Sequence, residues 1–188
     1  MNNVISIKNR HEFREWLILN HKKEDECFVV VKRGRPLDDE TFYYLDAVEE
    51  ALCFGWIDSK QIKVGDVIYQ RFSPRKKNSP WSELNKERAR RLIKLKLMDR
   101  SGKKVLPDLS KRSFQMDEEI IRILKENRCY SKFKSFPPLY QRVRIYNIVF
   151  YRNLDNNMYQ RSLEHFIDMT KNGQMYGEWN DYGRLIDY

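Results

Sequence analysis

Two runs of strand-forming residues, 56–64 and 67–72, lie on either side of the dipeptide Gly65-Asp66. Glycine adopts the positive φ that a two-residue turn between antiparallel strands requires, so this feature constrains the local chain path. The sequence therefore predicts a β-hairpin over residues 56–72. A shorter apolar and β-branched run at residues 27–31 predicts a further, buried strand.

The predicted hairpin has a register that brings polar side chains together. Pairing outward from the turn places Lys60 opposite Arg71 and Asp58 opposite Ser73. Side chains alternate between the two faces of a strand, so all four share one face. Asp58 and Arg71 are then diagonal neighbours within reach of each other. An ordinary cross-strand ion pair is the simpler interpretation, and a functional constellation is the alternative.

Apolar residues at helical spacing predict helices around the hairpin and throughout the second half of the chain. The predicted helices cover residues 10–20, 44–54, a segment beginning near Pro80, 117–126, a segment beginning near Pro138, and 159–170. We therefore expect an α+β fold, with a small antiparallel sheet and packed helices in an N-terminal domain over residues 1–110. An all-helical C-terminal domain follows over residues 111–188, and its aromatic tail at 175–185 is expected to dock on the body of the protein.

The helix that begins near Pro80, with Ser79 as its expected N-cap, carries polar residues on its apolar face. Its apolar stripe consists of Trp81, Leu84, Leu92 and Leu95, and Asn85 and Arg88 lie within that stripe. A buried guanidinium needs a partner, because burying it unpaired costs several kcal/mol. We expect a structural network in which Asp58 pairs with Arg88 or Arg71 under the cover of Trp81. A polar ligand pocket is the alternative.

Basic residues are concentrated in one segment of the chain. Residues 71–104 contain thirteen Lys and Arg against three Asp and Glu, a balance of +10, whereas the whole chain has a net charge of +9. The electrostatic field of such a basic segment attracts phosphates, acidic proteins or anionic membrane surfaces. The simpler interpretation of the segment is a solvated helix face. The candidate anion-binding residues are Asp58, Lys60, Arg71, Arg75, Lys76, Trp81, Asn85 and Arg88, and nucleic-acid binding would also use Lys77 and Lys86.

Several kinds of chemistry are not expected. The three cysteines are odd in number and far apart, and the three histidines lack metal-ligand spacing, so no disulfide framework and no metal site are expected. The glycines form no phosphate-loop or dinucleotide fingerprint, so no cofactor is expected. Cys53 lies near a predicted helix C-terminus, where the dipole disfavours a thiolate. Asp58 beside two cations would be a weak general base, so an enzyme centred on it ranks last.

The sequence also bears on location. No apolar run approaches the ~18 residues of a membrane helix, so no transmembrane segment is expected. The beginning of the chain lacks the basic and apolar pattern of a secretory signal. We therefore expect a soluble, cytoplasmic protein.

Two motifs resemble the YdeI/OmpD-associated family. They are Ala-Val-Glu-Glu-Ala-Leu-Cys-Phe-Gly-Trp-Ile-Asp-Ser at residues 47–59 and Arg-Phe-Ser-Pro-Arg-Lys at residues 71–76. The resemblance continues at Ser79, Trp81, Ser82, Asn85 and Arg88, and at the start of a C-terminal helical domain over residues 136–140. It implies a role in protection against bacteriocins or other antimicrobial peptides, with an envelope partner, but no reaction, cofactor or catalytic residue. Residues 151–157 depart from the basic pattern of the family.

Two functions from different classes follow from these observations. The resemblance implies resistance to cationic peptides, whereas the charge pattern predicts a module that binds nucleic acid or a phosphate-bearing ligand. A protein with a net charge of +9 repels cationic peptides over roughly a Debye length of 8 Å. Direct sequestration of such peptides is therefore disfavoured, and an indirect route, a regulatory route or one through an anionic partner is expected instead.

Overall fold

The computed structural model describes residues 3–188, and the chain divides into two units. The first unit comprises the residues up to Pro80, residues 88–107 and Tyr188, and the second comprises residues 81–87 and 108–187. The fold is α+β, as predicted, with the sheet in the first unit. The predicted division into an N-terminal domain over residues 1–110 and a C-terminal domain over residues 111–188 stays a prediction.

The elements of the first unit follow the predicted ranges closely. They are α1 (Arg10–Asn20), β1 (Cys27–Val29), α2 (Tyr44–Cys53), β2 (Trp56–Val64), β3 (Val67–Pro74) and α4 (Arg100–Lys104), while α3 (Glu83–Lys94) begins in the second unit and ends in the first. Asn9 caps α1, because its side chain accepts a hydrogen bond from Glu12 N. Helix α4 was not predicted, since its 5 residues are too few to show an apolar period.

The three strands form one antiparallel sheet in the order β1-β3-β2. Gly65 has a φ of +58° at the hairpin turn, a conformation that glycine adopts without steric strain. Pairing from the turn runs as predicted as far as Gln61. A β-bulge then changes the register, so that Asp58 lies opposite Phe72 rather than Ser73. The hairpin prediction is confirmed, and the predicted register beyond the bulge is wrong.

Aromatic side chains form the core of the first unit. Phe13 of α1 packs against Phe42 and Phe72, with ring centroids 5.2 and 5.5 Å apart. Trp56 of β2 is buried and meets Trp16 edge-on, with centroids 5.7 Å apart. Because these rings come from α1, β2, β3 and the segment before α2, burying one cluster holds the sheet against the helices.

Helix α2 also carries three carboxylates into the interior. Asp46, Glu49 and Glu50 occupy positions i, i+3 and i+4, which lie on one face of a helix. Each of the three residues is at most 3% exposed. Carboxylates buried to this extent need cationic partners, because an isolated buried charge is strongly unfavourable.

Arginines from two other helices neutralise these carboxylates. Arg10 of α1 donates to Asp46 at 3.2 Å and to Glu50 at 2.6 Å. Arg14, one turn further along α1, donates to the other oxygen of Glu50 at 2.6 Å. Arg91 of α3 donates to Glu49 at 2.6 Å. We call these six residues the α2 charge cluster, and it ties α1 and the end of α3 to α2.

Helices alone make up the regular structure of the second unit in the described residues. They are a 3-10 turn (Lys111–Ser113), α5 (Glu118–Glu126), α6 (Tyr130–Ser135), α7 (Pro138–Tyr151) and α8 (Asn156–Lys171), together with the first turn of α3. Apolar residues from α5 to α8 form one buried cluster, in which Phe133 and Phe166 meet edge-on with centroids 5.7 Å apart. Gly173 follows α8 with a φ of +69°, as expected of the residue after a helix end.

The aromatic tail docks on the helical cluster of the second unit, as predicted. Tyr176 and Trp179 pack against that cluster, and the ring of Trp179 meets Tyr140 edge-on with centroids 5.6 Å apart. Leu185 is buried against α7. Docking therefore removes from water much of the apolar surface that the tail would otherwise expose.

Helix α4 lies unusually close to the end of α2. A Cβ atom at Gly102 would lie 2.3 Å from the carbonyl oxygen of Cys53 and 2.6 Å from Met98 Sδ. No side chain fits into that space, so Gly102 sets the distance between α4 and α2.

We expect Gly102→Ala to destabilise the protein by about 1–3 kcal/mol, because the added methyl group forces α4 away from the Cys53 backbone. Lys103→Ala, at the next and exposed position of α4, is the control and should change stability by less than about 0.5 kcal/mol. Urea unfolding followed by circular dichroism measures both variants. A Gly102→Ala protein as stable as the wild type would contradict the close approach.

Candidate anion-binding site

Asp58, the centre of the predicted polar constellation, has a partner that the sequence did not suggest. The bulge turns Asp58 to the face of the sheet that carries Phe72, whereas Arg71 and Ser73 lie on the opposite face. Asp58 Oδ2 accepts a hydrogen bond of 2.6 Å from the hydroxyl of Tyr44, the first residue of α2. The prediction of an arginine partner is therefore wrong, because tyrosine is the donor.

Cations lie near this Tyr44–Asp58 pair. The guanidinium of Arg33 stacks on the Tyr44 ring, 3.6 Å from its centroid, and donates to the buried Gln70 at 2.8 Å. Burial and the charge of Asp58 raise the pKa of Tyr44 to about 12, against the opposing charges of Arg88 and Arg33. The Tyr44–Asp58 pair, Arg33 and Gln70 therefore form a compact polar network around the start of α2.

Arg71 has separate partners on the other face of the sheet. Its guanidinium donates to Glu26 at 2.5 Å and to the hydroxyl oxygens of Ser59 and Ser73 at 3.1 and 3.4 Å. Lys60 is exposed and lies within the bulge, so it is not placed opposite Arg71 as predicted. These contacts stabilise the sheet and leave the Arg71 guanidinium satisfied within the protein.

Other arginines of the basic segment are likewise engaged inside the first unit. Arg75 is buried and donates to Ser79 Oγ and to the Pro80 carbonyl oxygen, at 3.3 and 3.0 Å. Arg91 belongs to the α2 charge cluster. Guanidinium groups that are buried or paired inside the protein contribute little to binding an external anion.

Two glutamates at the start of α3 hold cations in the second unit. Glu83 and Glu87 are buried, and Arg142 of α7 donates to them at 3.2 and 2.8 Å. Lys86 pairs with the other oxygen of Glu83 at 2.8 Å. Lys86, one of the residues proposed from the sequence for nucleic-acid binding, is therefore part of an ion network with buried carboxylates.

The beginning and end of α3 differ from the prediction. Ser82, rather than Ser79, accepts the capping hydrogen bond, which comes from Asn85 N at 3.1 Å. Leu95, assigned to the apolar stripe, follows the end of the helix and is 43% exposed. The apolar stripe therefore does not continue as far as predicted.

The eight predicted site residues are divided between the two units. Trp81 and Asn85 belong to the second unit, and the other six belong to the first. The expectation that Trp81 covers Asp58 stays a prediction.

Seven cations of the basic segment are exposed in the first unit; Lys94 donates to the Tyr188 carbonyl oxygen, and the other six have no such partner. These six are Lys76, Lys77, Lys96, Arg100, Lys103 and Lys104. Their side chains make no hydrogen bond or ion pair within residues 3–188. We call them the exposed cations, and they, rather than all thirteen basic residues of the segment, are available to an anion.

Two of the exposed cations line a pocket of about 430 Å³ in the first unit. Arg100 and Lys104 lie at positions i and i+4 of α4, and Lys22 joins them from the segment just after α1. Ile18 and Phe54 supply apolar atoms to the lining. We call this cavity the α1–α4 pocket.

A hydrogen bond between His21 and Ser101 lies at the same pocket. His21 Nδ1 is 2.6 Å from the carbonyl oxygen of Leu17, which can only accept, so Nδ1 carries the hydrogen. In the neutral ring Nε2 is then the acceptor, and the Ser101 hydroxyl donates to it at 2.8 Å. Asp99 caps α4 by accepting from Ser101 N at 2.7 Å, and this bond holds the pKa of Asp99 below its usual value.

The residues of the α1–α4 pocket were not singled out from the sequence. His21 and Ser101 are 80 residues apart, and no spacing pattern connects them. The one local signal is Asp99, two residues before Ser101, in the pattern of a helix N-cap. That signal predicts a short helix, but not its neighbours.

The remaining titratable groups do not suggest a reaction centre. Burial raises the pKa of Cys27 and of Cys53 to about 12, so neither thiol is ionised at neutral pH. In residues 3–188, no group of three or more His, Cys, Asp or Glu side chains is arranged to hold a metal ion. Over the same residues, no helix has both the length and the apolar character needed to cross a membrane.

One family model matches the chain, and it covers the pocket and the exposed cations. It describes a domain of unknown function, DUF8412, and it matches residues 5–105, more than half of the chain. The chain belongs to this family. The DUF8412 match includes α1 to α4 and the whole sheet. No curated protein and no solved structure matches the chain.

We expect Tyr44→Phe to lower the free energy of unfolding by about 1.5–3 kcal/mol, because it removes a hydrogen bond to a charged carboxylate. Folding raises the Tyr44 pKa from 10.0 to about 12, so this residue's stabilisation is complete below pH 10 and is lost as the pH rises towards 12. The wild type should therefore lose part of its advantage over the variant in alkaline solution.

Urea unfolding at about pH 8 and about pH 11 measures both effects on the Tyr44 pair. Tyr182→Phe, at an exposed position of the tail, is the matched control and should change neither stability nor its pH dependence. Equal stability of wild type and Tyr44→Phe at neutral pH would contradict the role given to the pair.

Proposed function

We propose that this DUF8412 protein binds phosphate-bearing polyanions, nucleic acid in particular, through the exposed cations of the first unit. The observation that carries the proposal is the contrast within the basic segment. Arg71, Arg75 and Arg91 each donate hydrogen bonds to partners inside the first unit, whereas the side chains of the six exposed cations make none in the described residues. Unneutralised cations attract polyanions and release the counterions bound to them.

Two groups of exposed cations flank one short segment of the chain. Arg75 N donates to the Gly55 carbonyl oxygen at 2.9 Å, which places the loop after β3 beside Gly55. On the side of α4, a Cβ atom at Gly55 would lie 3.2 Å from the Ser101 carbonyl oxygen. Lys76 and Lys77 are therefore in the same region as the cations of α4, and a single polyanion can contact both groups.

The composition of this surface favours contacts with phosphates rather than with bases. Five of the six exposed cations are lysines, which act as point charges without the planar fork that arginine uses to read a guanine edge. Phosphate contacts position a protein on nucleic acid but carry no sequence information. The proposed binding is thus dependent on salt and largely independent of sequence.

The resistance role implied by the YdeI/OmpD-associated resemblance is compatible with this proposal through an anionic partner. The exposed cations repel cationic peptides, so direct capture of such peptides is not part of the proposal. A labelled cationic peptide is accordingly expected not to bind in the assay described next.

Duplex DNA is expected to bind weakly and with strong salt dependence. With about five phosphates contacted, a plot of log K against log salt concentration should have a slope near −4.5, because each contact contributes about −0.9. Fluorescence anisotropy of a labelled duplex with 5′-hydroxyl ends measures the slope. Absence of binding at low salt would contradict the proposal and leave the segment as a solvated surface.

The double variant Lys76→Gln/Lys77→Gln tests the location of this surface. Loss of two phosphate contacts should make the slope less steep by about 1.8. The matched control is Lys8→Gln/Arg161→Gln, which removes the same charge at exposed positions elsewhere and should leave the slope nearly unchanged. Equal effects of the two double variants would mean that only net charge matters.

A further inference from the structure

We propose that the α1–α4 pocket binds the phosphate group of a small phosphomonoester. The pocket shares Arg100 and Lys104 with the polyanion surface but is concave and adds Lys22, and either function can exist without the other. A volume of about 430 Å³ lies within the ~300–1,000 Å³ range of small-molecule sites. The lining combines several cations with an apolar wall, as such a ligand requires.

The charge of the pocket complements a phosphomonoester. Lys22, Arg100 and Lys104 contribute three positive charges to the lining, and Asp99 contributes one negative charge. The Asp99 carboxylate already accepts a hydrogen bond from Ser101 N, so it is engaged in capping α4. The balance of +2 matches a phosphomonoester, which carries about −1.5 to −2 near neutral pH.

Donors within the protein occupy some of the carbonyl oxygens at the end of α1, which reduces their repulsion of an anion. The Leu17 carbonyl accepts from His21 Nδ1 at 2.6 Å and from His21 N at 3.0 Å. The His21 carbonyl accepts from Trp56 Nε1 at 3.1 Å. Two of the acceptors that a helix C-terminus ordinarily leaves unsatisfied are therefore occupied.

Ser101 and His21 act as positioning residues. The Ser101 hydroxyl is 2.8 Å from His21 Nε2 and is also hydrogen-bonded to the Asp99 carboxylate, so it is already engaged and the donors to the ligand are the cations. The bond fixes α4 beside the end of α1, while the close packing at Gly102 fixes α4 beside α2. Arg100 is thereby held in the same pocket as Lys22.

The apolar wall indicates what else the ligand carries. Ile18 is 56% exposed and supplies most of the exposed apolar surface, whereas Phe54 is 5% exposed and its ring lies 5.1 Å from the His21 ring. A ring-bearing ligand gains from contact with Ile18, whereas inorganic phosphate does not. The ligand class is therefore a phosphomonoester with a ring system, available from a free small molecule or from the 5′-phosphate end of a nucleic acid.

Isothermal titration calorimetry of the full chain tests the site, with adenosine 5′-monophosphate and phenyl phosphate as probes. Both are expected to bind, and adenosine is not. Arg100→Gln/Lys104→Gln should weaken binding by at least about tenfold, because it removes two charge-assisted contacts. Lys8→Gln/Arg161→Gln removes the same charge at exposed positions outside the pocket and should stay within about twofold of the wild type.

Three results would overturn the inference. They are equal losses in the two double variants, binding of adenosine as tight as that of its monophosphate, and no binding of either phosphorylated probe. The variants change exposed side chains, and a thermal melt of each confirms that it is folded. Failure of the polyanion proposal is seen separately, as the absence of binding to a duplex with 5′-hydroxyl ends.

The positioning role of Ser101 has its own test. Ser101→Ala should weaken binding of adenosine 5′-monophosphate by about threefold or more, while Ser101→Thr keeps the hydroxyl and should restore it. No loss in Ser101→Ala, or an equal loss in both variants, would overturn the role of the hydroxyl bond.

Oligonucleotides distinguish the two sources of the phosphomonoester. A short single strand with a 5′-phosphate is compared with the same strand carrying a 5′-hydroxyl, at a salt concentration that suppresses backbone binding. Tighter binding of the phosphorylated strand identifies nucleic-acid ends as ligands. Equal binding of the two strands, with adenosine 5′-monophosphate still bound, identifies a free small molecule.

Discussion

The α2 charge cluster is the interaction on which the first unit depends. Removing three carboxylates from water is strongly unfavourable unless each is paired and hydrogen-bonded, and Arg10, Arg14 and Arg91 meet that requirement. Since the arginines come from α1 and from the end of α3, the pairs form only when both elements lie beside α2. An apolar face tolerates rotation and sliding of its neighbours, whereas directed ion pairs do not. The cluster therefore specifies the arrangement in which α1 and α4, both adjacent to α2, create the pocket between them.

The same cluster changes what the excess of positive charge means. Counted along the chain, residues 71–104 carry +10, but Arg91 of that segment neutralises an acid on α2 and Arg71 neutralises Glu26. Lys86 is bound to Glu83. A local charge balance read from sequence omits partners that are distant along the chain and close in space. The field available to a ligand is thus set by the cations left over after folding, on the loop after β3 and around α4.

The sequence predicted the elements well and the site poorly, for a physical reason in each case. Apolar periodicity and a glycine turn are local signals, and they placed α1, α2 and the hairpin close to their observed bounds. The bulge at residues 59–60 is a non-local outcome, because it depends on how the sheet packs rather than on the turn, and it moved Asp58 to the other face. The His21–Ser101 bond joins segments 80 residues apart, so no pattern in the sequence could show it. Short helices such as α4 fall below the length at which periodicity is detectable.

In helix α4 the fold keeps two like charges close together, although their repulsion destabilises the isolated helix. Arg100 and Lys104 are like charges at positions i and i+4, which destabilise a helix by a few tenths of a kcal/mol, and a helix of 5 residues is not stable in isolation. Three contacts that do not involve Arg100 or Lys104 stabilise α4. They are the Asp99 cap, the Ser101–His21 bond and the packing of Gly102 on Cys53. The two cations are consequently held together against their mutual repulsion. An anion placed between them relieves that repulsion, so binding and the stability of α4 favour each other by linkage. A cationic peptide at the same place would add to the repulsion, which is the physical reason that anions are the ligands proposed for this surface.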